Sequence, residues 1–233
     1  MKTIGLLGGM SWESTVPYYR VLNETVRELL GGHHSARILM YSVDFHEIKE
    51  LQYAGLWEEA GALLADAAAR LEQAGADFLV IATNTMHIVA DQIARAIRIP
   101  ILHVADPTAA AVRETGATTV GLLATGFTME KEFYRDALAA RGLRVLIPEA
   151  PDRAEVHRVI YEELVLGKLE ESSRETYRRV IADLVARGAE GIILGCTEIG
   201  LLIGQADSAV PVFDTAAIHA RAAGRVAVGV ETT

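Results

Sequence analysis

Cys196 is the only thiol in a chain of 233 residues, and it stands where the apolar run Gly191–Gly195 gives way to Thr197 and Glu198. A cysteine in a core strand is commonly a small inert hydrophobe. One that leaves a strand at a helix N-terminus is different: its pKa is expected below the reference of about 8.5, and thiolate becomes accessible. The position also has an echo. Gly75-Ala-Asp-Phe-Leu-Val-Ile-Ala-Thr83 returns as Gly188-Ala-Glu-Gly-Ile-Ile-Leu-Gly-Cys196 at an offset of 113, and Thr3-Ile-Gly-Leu-Leu7 returns as Thr119-Val-Gly-Leu-Leu123 at an offset of 116. Thr83 and Cys196 therefore hold equivalent places, each at the carboxyl end of a strand, where open α/β sheets bind their ligands. If the halves face each other, the hydroxyl and the thiol approach one ligand from opposite sides.

The flanking residues fit that picture. Asn84-Thr85 and Thr197-Glu198 start helices, and the free N–H groups of a helix N-terminus suit a carboxylate. Thr and Asn also serve as caps there, a role compatible with ligand binding. His87, on the first turn, reads as a packing or capping residue. Gly5-Leu-Leu-Gly-Gly-Met10 is neither GxxxxGK[ST] nor GxGxxG and has no phosphate-binding lysine, so its glycines are read as letting the backbone approach a small ligand. Ser11 and Ser14-Thr15 could cap the helix that follows. Thr125-Gly-Phe-Thr128 is the second-half counterpart and could bind an anion or cap. The seven histidines have no metal spacing and a lone cysteine makes no cysteine-rich metal site, so no metal is expected.

These residues need strands and helices to position them. Candidate strands are Thr3–Leu7, Arg37–Val43, Asp77–Ala82, Thr119–Ala124, Leu143–Ile147, Gly191–Gly195 and Pro211–Phe213. Trp57, Ala60, Leu64, Ala67, Leu71 and Ala74 form one apolar helix face, and Tyr177, Val180, Ile181, Leu184 and Val185 form another. Gly75 and Gly188 close those two helices. Near-continuous apolar strands alternating with helices predict parallel sheets covered on both faces. Both halves carry a Pro-apolar-apolar step, Ile99-Pro-Ile-Leu102 and Val210-Pro-Val-Phe213, followed by an alanine-rich helix. The fold class is α/β: two similar halves with parallel sheets, related by pseudo-twofold symmetry, the second beginning near Ala105.

Composition narrows the function. With 51% hydrophobic and 23% charged residues the chain buries a sizeable core, which excludes collagen, coiled coil and disorder. A net charge of −9 without a Lys/Arg cluster argues against nucleic acid. No signal-peptide core forms at the N-terminus, and no apolar stretch reaches the roughly 20 residues of a membrane span. One cysteine allows no internal disulfide. The expected setting is cytoplasmic, with no membrane partner.

Four segments carry a resemblance: Gly8-Gly-Met-Ser-Trp-Glu-Ser-Thr15, Thr83-Asn-Thr-Met-His87, Ala124-Thr-Gly-Phe-Thr128 and Gly195-Cys-Thr-Glu198. With them the chain resembles, over essentially its whole length, the aspartate/glutamate racemase family of cofactor-independent amino-acid racemases. The resemblance implies two α/β/α halves, 1–104 plus the returning 212–233 and 105–211, with the active site in the cleft between them, no cofactor, and a homodimer. It also implies a cysteine from each half beside the substrate α-carbon. Here Thr83 takes the first place and Cys196 the second. By the same resemblance Asn84, Thr85, Thr125, Thr128 and Thr197 hold the substrate's α-carboxylate and amino group, with Met10 and Ser11 lining the cleft. Some relatives hold a distal carboxylate with an arginine after the second strand; this chain has Asp44-Phe-His-Glu-Ile48 there, and Lys168 is the candidate substitute.

Racemisation removes a proton from one face of the α-carbon and delivers one to the other, which takes two acid/base groups. The resemblance implies that the second-half cysteine acts on the L-face, so Cys196 is assigned as the thiolate base there, and Thr83 as the opposing proton donor, since a threonine hydroxyl does not ionise appreciably. Two other readings compete: a single-cysteine decarboxylase or isomerase of the same superfamily, and a non-catalytic binder of small carboxylates.

Overall fold

Short apolar runs pair side by side into parallel sheets, and in this chain they do so twice in the same order. The computed structural model describes residues 1–230 and divides the chain into two compact units, Met1–Val104 together with the chain from His219 on, and Ala105–Ile218. In the first unit the elements run β1 (Thr3–Gly8), α1 (Trp12–Leu30), β2 (Arg37–Ser42), α2 (Phe45–Ala54), α3 (Trp57–Gln73), β3 (Phe78–Ile81), a 3₁₀ turn (Thr85–Val89), α4 (Ala90–Ala96) and β4 (Ile101–Leu102). The second unit opens with α5 (Ala105–Glu114), β5 (Thr119–Leu123), α6 (Gly126–Glu130), α7 (Glu132–Ala139), β6 (Arg144–Leu146) and α8 (Ala150–Glu162). A 3₁₀ turn (Leu164–Leu166), α9 (Glu171–Ala186), β7 (Gly191–Leu194), α10 (Ile199–Leu202), a second 3₁₀ turn (Gln205–Asp207) and β8 (Val212–Asp214) complete it, and α11 (Thr215–Val228) passes from the second unit into the first at His219. The sheets are β2-β1-β3-β4 and β6-β5-β7-β8, and every pairing is parallel.

The repeat seen in sequence is a repeat of contacts. Helices α3 and α9 end in the same motif: Gly75 and Gly188 both sit at φ +100°, their N–H groups bond to Glu72 O and Val185 O, and the next residues bond back to Leu71 O and Leu184 O. Both glycines take the left-handed position just past the cap, where a side chain is strained. The carboxylates of Asp77 and Glu190 then take backbone N–H groups at the starts of β1 and β5. Gly5 and Gly121 face Leu71 and Leu184, whose Cβ atoms lie 3.5 and 3.2 Å from where a Cβ would stand on each glycine. The atoms that leave no room are nearer still: Ala76 Cβ at 2.9 Å and Phe78 O at 3.2 Å for Gly5, and Ile192 Cδ1 at 2.8 Å and Leu184 Cδ1 at 3.0 Å for Gly121.

Two expectations change. The chain returns to the first unit at His219 and not at residue 212. The reason is that Val212–Asp214 pairs with Ile192–Leu194 as the edge of the second sheet, and Thr215 Oγ1 donates to Leu194 O at 2.7 Å. Of the expected segment 212–233, residues 231–233 lie outside the described residues. Ile101–Leu102, read only as half of a Pro-apolar-apolar step, is a strand, paired with Leu79 and Val80. Among the described residues no helix is long and apolar enough to cross a membrane.

Candidate active site

The carboxyl ends of β1, β2 and β3 gather the candidate residues of the first unit. Ala82 N–H donates to Leu7 O at 2.9 Å, which holds the segment leaving β3 against β1. Thr83 comes next and is buried; its N–H donates to Ile81 O at 2.9 Å. The Thr83 carbonyl accepts from His87 Nδ1 at 2.7 Å, while His87 Nε2 accepts from Val104 N–H at 3.2 Å. A carbonyl can only accept and an amide N–H can only donate, so these partners fix His87 as the neutral Nδ1–H tautomer. Burial first, then His103 and His219 nearby, push its pKa well below the ordinary histidine value, in agreement with that tautomer. His87 holds the backbone of Thr83 and is in no position to ionise. Asn84 and Thr85 follow, buried, at the start of the 3₁₀ turn, and the Asn84 side chain does not cap it.

The glycine-rich loop after β1 has a different reason from the one expected. A Cβ on Gly9, at φ +88°, would lie 2.3 Å from Val43 O, and one on Gly8 would lie 2.6 Å from Thr15 Cγ2. The close approach is to the protein's own backbone and side chains, with Val43 as the wall. Ser11 is the N-cap residue of α1, yet its side chain makes no capping bond. Instead Ser14 and Thr15 donate to Ser11 O, and Thr15 Oγ1 accepts from Gly9 N–H at 2.9 Å. Met10 belongs to the hydrophobic cluster that includes Leu7, Ile48 and Met86, so its side chain is committed to the core.

The second unit repeats the scaffold and changes the chemistry. Gly195 N–H donates to Leu123 O at 2.7 Å, as Ala82 does to Leu7, and Cys196 comes next as Thr83 does. Cys196 Sγ lies 3.0 Å from Glu198 Oε2, and Thr197 Oγ1 donates to the same oxygen at 2.8 Å. All three residues are buried. The expected fall in the Cys196 pKa is reversed. Burial pushes the thiol well above its ordinary value and the Glu198 carboxylate pushes it further, while hydrogen bonds from the Glu198 and Thr197 N–H groups pull the other way and lose. The helices expected after Thr83 and Cys196 are a single 3₁₀ turn and the four-residue α10, too short to sum much of a dipole. In this setting Cys196 is a thiol donating to a carboxylate.

Thr125 caps α6, its Oγ1 accepting from Thr128 N–H at 3.3 Å and lying 3.2 Å from Thr128 Oγ1. Gly126 N–H donates to His157 Nδ1 at 3.0 Å, and the His157 ring stacks edge-on against Phe127. Sequence reading missed His157, for its only signal is contact across 31 positions. Glu198 was read only as part of a helix start, although it stands two residues past the thiol. Lys168 is exposed on the loop after the turn Leu164–Leu166 and takes no part in the Cys196–Glu198–Thr197 hydrogen bonds.

Comparison with known proteins agrees along the whole length. The family model described as Asp/Glu/Hydantoin racemase matches residues 7–223. A Yersinia pestis protein solved as a candidate Asp/Glu racemase is 55% identical, with a TM-score of 0.90 over 98% of this chain and 100% of that one. An aspartate racemase homologue from Pyrococcus horikoshii is 37% identical, with a TM-score of 0.84 over 98% and 100% of the two chains. The broad specificity amino-acid racemase RacX of Bacillus subtilis is 23% identical over 94% of this chain and 95% of its own.

Proposed function

The chain belongs to the Asp/Glu/hydantoin racemase family, and from that premise we propose that it interconverts the enantiomers of an α-amino acid without a cofactor. Cys196 works on the L-face of the α-carbon and Thr83 on the opposite face. One observation carries this reading: two units of the same strand order set a thiol and a hydroxyl at equivalent positions, each one residue past an N–H bonded to the end of the neighbouring strand. Duplication of a scaffold with acid/base groups at matched points is what transfer across two faces requires.

In this mechanism the Cys196 proton moves to Glu198, leaving thiolate beside a neutral carboxylic acid with the charge of the pair unchanged. The thiolate takes the α-proton of the L-enantiomer, and the Thr83 hydroxyl protonates the developing carbanion from the other side while recovering a proton from water. Glu198 then releases its proton to neutralise the hydroxide, which returns the pair to thiol and carboxylate. Asn84, Thr85, Thr125, Thr128 and Thr197 supply hydroxyl, amide and backbone N–H groups for the α-carboxylate and ammonium. The names of the relatives make aspartate and glutamate the first substrates to try, and the breadth named for RacX makes neutral amino acids the second. A thiol at the centre of the chemistry suits a reducing, cytoplasmic setting.

Proton NMR in heavy water over a panel of L- and D-amino acids tests the proposal. The expected result is loss of the α-proton signal from at least one L-amino acid, slower appearance of its D-enantiomer, and neither with Cys196→Ala. Binding without exchange across the panel would leave a carboxylate binder, and carbon dioxide released from a substituted malonate would make it a decarboxylase.

A further inference from the structure

At its β4 edge the first sheet has little ladder. Strand β4 pairs with β3 through Ile101 and Leu102 alone, and backbone groups at its end go to imidazoles instead. Leu102 O accepts from His219 Nε2 at 2.8 Å, and Val104 N–H donates to His87 Nε2 at 3.2 Å. His219 Nδ1 in turn lies 3.0 Å from the Tyr18 hydroxyl on α1. Tyr18, His87 and His219 are all buried. The His103 ring meets that of His87 edge-on with 4.5 Å between centroids, and the His219 ring lies 6.0 Å from the same ring.

Each partner fixes a proton. Leu102 O can only accept, so His219 carries a proton on Nε2. Burial favours the uncharged ring, whose Nδ1 then accepts from the Tyr18 hydroxyl. Val104 N–H can only donate, so His87 Nε2 is bare and its Nδ1–H goes to Thr83 O at 2.7 Å. Both rings thus bond to one short segment, residues 102–104. His219 anchors the Leu102 carbonyl, and the Val104 N–H two residues on selects the tautomer with which His87 grips Thr83. An imidazole bonded at both nitrogens is fixed in orientation as well as in place.

We propose that Tyr18 and His219 are positioning residues for Thr83: acting through residues 102–104 and His87, they set where the Thr83 peptide stands and so where its hydroxyl points. Thr83 needs that support. It comes two residues past the four-residue β3 and leads into a 3₁₀ turn that the Asn84 side chain does not cap. Proton delivery is intolerant of misplacement, and an error of about 1 Å can cost roughly 100-fold. Groups behind a reacting side chain supply the precision. The Cys196 thiol is held differently, by Glu198 in its own segment, so loss of the Tyr18–His219 pair should weaken one arm of the reaction and spare the other. The kinetic consequence rests on the racemase reading; the chain of hydrogen bonds does not.

Tyr18→Phe deletes one hydroxyl, His219→Gln keeps an N–H donor at the reach of Nε2, and His219→Leu keeps none. With an L-amino acid that exchanges, deuterium wash-in should change little. Inversion should fall by about 10-fold in Tyr18→Phe and up to about 100-fold in His219→Leu, and His219→Gln should recover most of that loss. Wash-in and inversion falling together would mean general damage and would overturn the proposal, as would an unchanged ratio of the two. Nitrogen NMR on the full chain with ¹⁵N-labelled histidine is the second arm, because protonated and bare ring nitrogens of a neutral imidazole resonate far apart. His87 should carry its proton on Nδ1 and His219 on Nε2, and the His87 nitrogen signals should shift in Tyr18→Phe. A His87 proton on Nε2, or His87 signals unmoved in Tyr18→Phe, would also overturn it. If no amino acid exchanges its α-proton, the racemase reading fails and the nitrogen signals alone decide the proposal.

Discussion

The substitution that most directly probes the acid/base pair is Thr83→Cys. The backbone of Thr83 is held by its N–H to Ile81 O and its carbonyl to His87 Nδ1, and neither bond involves the side chain. The change replaces Oγ by sulfur and removes one methyl from a buried position, about 0.8 kcal/mol. For a chain of this length that is roughly 2–3 °C in melting temperature. The kinetic effect is larger. A positioned acid/base group contributes roughly 10²–10⁴-fold, and Thr83 supplies only its donor half, so an ionisable group there should raise racemisation by up to about 10²-fold. Because enantiomers have equal free energy, kcat/KM is equal in the two directions, so the weaker arm limits both. Two assays on one sample separate the arms: deuterium wash-in by NMR reports the Cys196 face, and chiral chromatography reports inversion. Wild type should exchange the L-substrate faster than it inverts it, Thr83→Ala should widen that ratio, and Thr83→Cys should bring it toward one. Wash-in preserved, melting within a few degrees of wild type and no gain in inversion would refute the role of Thr83.

Glu198→Gln removes the carboxylate that, after burial, raises the Cys196 pKa; the pH profile of Cys196 alkylation should move to lower pH, while wash-in slows for want of a proton acceptor. His87 stays neutral when folded, its pKa well below the reference of about 6.5, so the unfolded chain alone binds a proton as pH falls below that value. Stability should be full above pH 7 and decline on the acid side by at most about 1.4 kcal/mol per pH unit from this group, and urea midpoints at pH 7 and 5.5 should converge in His87→Asn. Gly9→Ala and Gly55→Ala both place alanine at positive φ, but only Gly9 faces backbone atoms inside van der Waals range. Thermal melting should show Gly55→Ala losing about 1 kcal/mol and Gly9→Ala clearly more.

The duplicated scaffold was readable because each repeated letter is a backbone demand. Gly75 and Gly188 take the left-handed turn, Gly5 and Gly121 make room for Ala76 and for Ile192 and Leu184, and Asp77 and Glu190 tie down the starts of β1 and β5. Such demands are local and survive in sequence. Strand β4 escaped because two residues carry no periodicity, and its standing as a strand comes entirely from pairing with Leu79 and Val80. The handover at His219 escaped for a different reason: Pro211–Phe213 was legible as a strand, but only pairing with β7 assigns it to the second sheet. At the candidate site the positions of Thr83 and Cys196 were legible and the environment of the sulfur was not. Whether burial and a neighbouring carboxylate outweigh two amide N–H groups depends on depth and distance, and no spacing of letters encodes either.

That environment also discriminates between chemistries. A buried thiol 3.0 Å from a carboxylate holds its proton more tightly than a free thiol, so it takes a further influence to become the base that racemisation needs. Opposite charge close to an ionisable group favours its charged form, and like charge disfavours it. An α-amino acid brings an ammonium beside the α-carbon and should draw the Cys196 pKa down, so the substrate itself activates its base. A malonate brings a second carboxylate and no cation, and should leave the thiol protonated, which suits an acid that only protonates an enolate. The absorbance of thiolate near 240 nm, or the rate of alkylation by a small reagent at fixed pH, separates the two. A slowly exchanging amino acid, or one lacking its α-proton, should increase thiolate at Cys196, and a substituted malonate should not. Thiolate that rises with the malonate and not with the amino acid would favour decarboxylation, and thiolate indifferent to both would remove the ammonium from the mechanism.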